Sequence, residues 1–288
     1  MKDNIGMQCR RIWLAVGRVN NLNGMRREIR AHRKKGQRMN NEEAKNFRFK
    51  GVKIDNVGLE DVIGIISNNI HQKGYICVND VRNIMVAIND KNLFDAINGS
   101  LLSIADGTPL TWYARLLGSK RIQRVAGFEL MANMMRSDNG FKHYLLGDTE
   151  ETIGRVIAKA RIENINIQVA GHSPPFREQF SELDNDEIFK RINGEDPDIV
   201  WVSFGGVRQE KWMHQNIGKL RRGILVGIGA AFRFYIGDLY IPPKVFQRLG
   251  MQWFFRMIQS QRAFRMYIRI IPKFCFYFPS EVMKGRNR

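Results

Sequence analysis

Three cysteines in 288 residues, Cys9, Cys77 and Cys275, are too few and too scattered for a disulfide framework. None belongs to a CxxC pair, which argues against a zinc ribbon and for a reducing compartment. The five histidines, His32, His71, His143, His172 and His214, show no metal-ligand spacing with one another or with the cysteines, so no metal is expected. No stretch approaches the roughly 18 uncharged apolar residues of a membrane-spanning helix. The short run Ile12 to Val16 is cut off by Arg18 and is too brief for a signal peptide, so the chain is expected in the cytoplasm.

Acidic residues are also scarce, 28 Asp and Glu against 46 Lys and Arg, and the imbalance is uneven. Residues 1 to 50 hold 14 basic against 4 acidic residues, and residues 251 to 288 hold 8 against 1. The centre is therefore almost neutral, and the excess belongs to the two ends. Basic ends point to nucleic acid or to an anionic membrane surface. A near-neutral centre without a recognised nucleic-acid motif disfavours the first.

What is present is a core. Hydrophobic residues make up 44% of the chain, enough for a globular domain of this length. Residues 1 to about 47, with Arg26-Arg27, Arg33-Lys34-Lys35 and Arg38, read as a solvated basic arm, and apolar alternation begins near Phe47. Beyond it, helical and strand-like patterns alternate. Strands are expected at Tyr75 to Val78, Leu101 to Ala105, Phe141 to Leu146, Ile165 to Ala170, Ile199 to Phe204 and Ile224 to Ile228. Helices are expected at Leu59 to Ile70, Val81 to Ile97 with a break near Asp90, Pro109 to Leu117, Phe128 to Met135, Glu150 to Ile162, Phe176 to Ile192 and Arg208 to Ile217. This order implies an α/β fold, a Rossmann-like parallel sheet with helices on both faces over residues 48 to 250. Ligands in such sheets bind beyond the carboxyl ends of the strands. The turns at Asp106-Gly107, Gly147, Gly205-Gly206 and Gly227 to Gly229 all fall on that edge.

The segment Val202 to Met213 is the most informative. An apolar strand empties into Gly205-Gly206, and a helix then starts near Arg208, with Gln209 and Glu210 in its first turn. Glycines let a ligand approach the backbone, and a helix start offers free N–H groups to an anion. The same pattern also fits an ordinary strand, turn and helix whose Glu210 only complements the helix dipole. Asp106 ends a strand on the same edge and could accept a proton from a hydroxyl, or could cap the helix that follows. Gly227-Ile-Gly229-Ala-Ala-Phe232 matches a dinucleotide fingerprint only in part, since Phe232 stands where a third glycine is needed. The appendage at 251 to 288 interleaves aromatics such as Trp253, Phe264 and Phe276 with arginines and has no acid before Glu281. It reads either as membrane-associating or as a terminal helix packed on the domain.

Taken together, these segments resemble the WecG/TagA/CpsF family of glycosyltransferases, glycosyltransferase family 26. The resemblance is carried by Ala105-Asp106-Gly107, Arg124-Val-Ala-Gly-Phe-Glu-Leu-Met131, Leu145-Leu146-Gly147, Gly205 to Met213 with Gln-Glu-Lys-Trp, Val226 to Phe232, and Leu249 to Arg256. It implies an inverting enzyme that moves an N-acetylmannosamine-type sugar from a UDP-sugar to a polyprenyl-diphosphate-linked acceptor at the inner membrane face, in cell-surface polysaccharide or teichoic-acid-type synthesis. It implies Asp106 as general base, Asn79 in the pocket and Gln209 at the donor; from the strand-end turns, Gly147, Gly205, Glu210, Gly227 and Gly229 are expected to bind the donor as well. It further implies Arg256, Arg262 and Arg265 at the acceptor diphosphate, and neither metal nor cofactor. A homo-oligomer is compatible with all of this.

Several positions depart from the family pattern: Asn79, Val81, Glu129, Pro174, Arg233, Ile241-Pro242-Pro243 and Gln252. They leave open a second reading, a catalytically weak homologue serving as an interaction subunit of a polysaccharide assembly complex.

Overall fold

The computed structural model describes residues 46–137, 140–241, 243, 246 and 261–286, without the side chains of Arg262, Ala263 and Arg286. The expected basic arm, up to residue 45, lies outside the described residues, as do Arg256 and the Arg262 side chain.

Six parallel strands form the central sheet: β3 (Lys73–Asn79), β4 (Leu102–Ala105), β5 (Lys142–Gly147), β6 (Gln168–His172), β7 (Ile199–Ser203) and β8 (Gly223–Gly227). Their order is β4-β3-β8-β7-β5-β6. Strands β7 and β8 are buried along their whole length, which is why they read as continuous apolar runs and not as alternating ones. Successive residues nevertheless face opposite ways. Val200, Val202 and Leu225 belong to one core, and Ile199, Trp201, Ile224 and Val226 to the other.

The first core is covered by α2 (Val81–Ala87), α3 (Lys91–Asn98), α4 (Thr108–Leu116), α7 (Glu182–Glu195), α8 (Gly206–Asn216) and α10 (Gln261–Arg286). The second is covered by α1 (Leu59–Asn69), α5 (Gly127–Arg136), α6 (Glu150–Glu163) and α9 (Ala231–Ile236). The chain leaves β5 over the second face toward β6, and leaves β7 over the first face toward β8. The two connections diverge, so a crevice opens between the carboxyl ends of β5 and β7.

Two elements differ from the sequence expectation. Strand β6 starts at Gln168, three residues later than the apolar run suggests, because register with β5 pairs Lys142 with Gln168. Helix α7 starts at Glu182 and not at Phe176. A capping box fixes that start: the Ser181 side chain accepts from the Asp184 N–H while Asp184 reaches back to the Ser181 N–H. Phe176 and Phe180 are thereby left in the loop.

A short antiparallel hairpin, β1 (Phe47–Phe49) and β2 (Val52–Ile54), packs beside β4. The last helix is held to the domain by stacking of Phe274 on Phe49 at 5.1 Å and by the Lys50 N–H, which donates to Glu281 at 3.1 Å. It contacts α2 and α4, the two helices that spring from the ends of β3 and β4.

Candidate active site

The crevice between β5 and β7 holds a cavity of about 400 Å³. Gly147, Gly205 and Gly229 line it together, drawn from three strand ends that are far apart in sequence. Gly205 and Gly229 both have positive φ, 77° and 56°, and a Cβ on either would point into open space. The backbone is thus exposed where a ligand can lie against it.

The walls supply what the glycines lack. Phe176, Phe180 and Phe204 surround Arg208, whose guanidinium lies 5.2, 5.1 and 5.7 Å from their ring centres. Desolvation in this aromatic setting pulls the Arg208 pKa below its ordinary value. Helix α8 starts at Gly206, so Arg208 sits in its first turn, where backbone N–H groups and a side-chain cation meet. Across the cavity, Arg233 makes a bidentate pair with Asp148, with contacts at 3.0 Å. Thr149 caps α6 by accepting from the Thr152 N–H at 3.1 Å. Half-buried Phe180 and Phe204, the exposed ring of Phe176, a partly desolvated arginine and a helix start are the features that suit a flat ring joined to an anion.

Asp106 stands on the same sheet edge. It follows β4, and its backbone N–H donates to Asn79 of β3 at 2.9 Å. The N-cap of α4 is Gly107 and not Asp106. Its carboxylate instead meets Arg124 at 3.3 Å, and the other arm of that guanidinium meets Glu129 at 2.8 Å. Strands β4 and β7 are three positions apart, so Asp106 lies about 14 Å along the edge from the β7 end of the cavity, at ~4.8 Å per strand.

The remaining expected residues lie beneath this surface. Asn79 is 1% exposed and bonds inward to Ser103 and Asn83. Gln209 is 3% exposed, accepts from the Gly229 N–H at 3.1 Å and donates to Glu210 at 2.9 Å. Gly227 makes room for it, since a Cβ there would come within 3.0 Å of the Gln209 amide nitrogen. Glu210 is fully buried and faces inward, so it has no surface with which to touch a donor directly. Arg265 is exposed on α10. Sequence reasoning missed Phe176, Phe180, Arg208, Asp148, Thr149 and Arg233 as cavity residues. Only Asp148 and Thr149 carried a usable signal, since they follow Gly147 directly and precede an acidic helix start.

Comparison with known proteins identifies relatives. A chain of Bacillus subtilis (strain 168) named N-acetylglucosaminyldiphosphoundecaprenol N-acetyl-beta-D-mannosaminyltransferase is 27% identical over 190 residues, covering 65% of this chain and 72% of its own. A protein of the same name from Staphylococcus aureus (strain NCTC 8325 / PS 47) is 24% identical over 233 residues, covering 78% of this chain and 89% of its own. The profile of the glycosyl transferase WecG/TagA/CpsF family matches residues 47–288, from the first strand of the hairpin to the last residue. The chain therefore belongs to the WecG/TagA/CpsF family and is a glycosyltransferase.

Proposed function

We propose that the enzyme moves an N-acetylmannosamine-type sugar from a UDP-sugar to a polyprenyl-diphosphate-linked acceptor, with inversion, in the synthesis of a cell-envelope polysaccharide. The observation that carries this reading is the division of one sheet edge into an aromatic and arginine-lined cavity at β5 and β7 and a carboxylate at the end of β4. The names of the relatives support both the sugar and the lipid diphosphate.

In this reading the uracil ring lies among Phe176, Phe180 and Phe204, and the donor diphosphate faces Arg208 and the first N–H groups of α8. These cations and dipoles are fixed in place before reaction, so they offset the charge that grows on departing UDP without reorganising. The sugar extends along the edge toward Asp106. Its carboxylate, held by Arg124, takes the proton of the acceptor hydroxyl as that oxygen attacks the anomeric carbon from the side opposite UDP. A single displacement inverts the configuration. Gln209 acts at one remove, by fixing the Gly229 turn that floors the cavity.

Helix α10 supplies a reason for membrane association. Its inner stripe is docked on the domain, while Phe264, Ile268, Phe276 and Met283 are exposed beside Arg265, Arg269 and Lys273. Among the described residues no helix is long and apolar enough to cross a membrane. An apolar arc flanked by cations suits the headgroup layer of an anionic leaflet, and in this reading a lipid-borne acceptor lies next to α2 and α4. Arg265, and by the family resemblance Arg256 and Arg262, then meet the acceptor diphosphate.

The test is Asp106→Asn. Transfer is expected to fall by about 100-fold or more, the usual worth of a general base, while UDP affinity measured by titration calorimetry stays within a few-fold of wild type. Undiminished turnover would remove Asp106 from this role.

A further inference from the structure

A single hydrogen-bonded string runs under the sheet edge from β4 to β8. The Ser103 hydroxyl donates to the Lys53 carbonyl at 2.6 Å, and the Asn79 amide donates to Ser103 at 3.0 Å. The Asn83 amide donates to Asn79 at 3.2 Å and to Glu210 Oε1 at 3.4 Å. The Gln209 amide donates to the same Oε1 at 2.9 Å, and the Gly229 N–H closes the string on Gln209. At one end stands Asn79, whose carbonyl receives the Asp106 N–H. At the other is the turn that lines the cavity.

Glu210 is the middle link and the only carboxyl in the string. It is 0% exposed, and its second oxygen, Oε2, has no hydrogen-bond partner. A buried carboxylate with one bare oxygen is costly, whereas a neutral carboxyl accepts both amides on Oε1 and keeps its proton on Oε2. We propose that Glu210 is a positioning residue, a neutral carboxyl that clamps Asn83 and Gln209 together and so sets the Gly229 turn relative to the Asn79 and Asp106 strand ends. This inference rests on the transferase reading only for its effect on turnover. The clamp itself is a property of the fold.

The surroundings favour the protonated state. Burial is the main cause that pushes Glu210 up to about 8, with Asp80 of α2 acting the same way, and the Gln209 hydrogen bond and Arg82 opposing. The neighbouring titratable group of β3 is Cys77, whose thiol is itself raised by burial and by Glu210. In an open clamp Glu210 meets water and ionises near its ordinary 4.5, so opening becomes easier as pH rises from about 4.5 to about 8 and no easier beyond that.

The deciding experiment follows hydrogen exchange of the Gly229 amide from pH 6 to 9.5 in the wild type and in Glu210→Gln, after correction for intrinsic exchange. Gln keeps the accepting oxygen but cannot ionise. Wild-type protection is expected to fall as pH rises toward about 8, by as much as about tenfold per pH unit, and to level off above it, and that of Glu210→Gln to stay flat. The fall of kcat/KM for UDP-sugar over the same interval, from pH 6 to about 8, should be absent in the variant. A residue that merely fills space would lower the melting temperature without moving either profile. Identical pH profiles of Gly229 protection in the two proteins would overturn the proposal. If no donor is turned over, the transferase reading fails, and the exchange data still decide the clamp.

Discussion

His143 shows how a single buried residue fixes a pH limit on the fold. It is 2% exposed, stacks on Trp201, and accepts the indole N–H at 3.1 Å, which requires that its ring be neutral at Nδ1. Burial pulls its pKa down to about 4, with Asp198 opposing. Below the ordinary value of 6.5 the unfolded chain takes up a proton that the native chain refuses, so stability is lost as pH falls from about 6.5 to about 4. The loss attributable to this one residue is about 3 kcal/mol at most, at ~1.4 kcal/mol per pKa unit. Urea unfolding at pH 7 and pH 4.5 checks it. His143→Gln, which keeps an acceptor for Trp201 and does not titrate, should lose clearly less stability than wild type over that interval. Equal losses would assign the acid sensitivity to other groups.

At the scale of elements, what the sequence revealed and what it hid have physical causes. Strands buried on both faces announce themselves as apolar runs, so β4, β5, β7 and β8 could be placed within a residue or two. The three-residue strands of the β1–β2 hairpin are too short to show a period, and α9, only six residues long, starts within Ala230-Ala231-Phe232, which reads equally as a turn. Phe176 and Phe180 looked like the apolar face of a helix. The capping box at Ser181 releases them to the cavity instead, and this is why the cavity wall was not legible from the sequence. The appendage is legible in part: its missing acids predict a cationic face, but not that Phe274 and Glu281 dock the helix on β1 and the hairpin turn. Reversing Arg265, Arg269 and Lys273 to Glu removes three exposed cations, each worth about 1 kcal/mol at an anionic surface. Binding to vesicles containing phosphatidylglycerol should drop by at least about 100-fold, while the melting temperature stays unchanged because none of the three is packed. Retained vesicle binding would show that α10 is simply the outer layer of the domain.

For the whole molecule, the doubly wound sheet explains how residues separated by more than a hundred positions act together. Asp106, Gly147, Gly205 and Gly229 were legible as strand-end positions on one edge, since parallel topology forces every such turn to the same side. Their spacing was not, because it depends on strand order: β4 and β7 are separated by β3 and β8, which in the proposed reading leaves room for a sugar between the Asp106 carboxylate and the cavity. The buried string through Glu210 spans that separation. The departures at Arg233 and Pro174 fall at the cavity rim, where Arg233 is paired with Asp148, and leave the Asp106–Arg124 pair untouched. The most direct measurement incubates the full-length enzyme with a panel of UDP-sugars and a short-chain polyprenyl-diphosphate-N-acetylglucosamine, and reads the lipid product by mass spectrometry. Transfer of one N-acetylhexosamine from UDP-N-acetylmannosamine, abolished by Asp106→Asn, is the predicted result. Absence of any mass increase with every donor, by a folded protein, would contradict the account and favour an interaction subunit in its place.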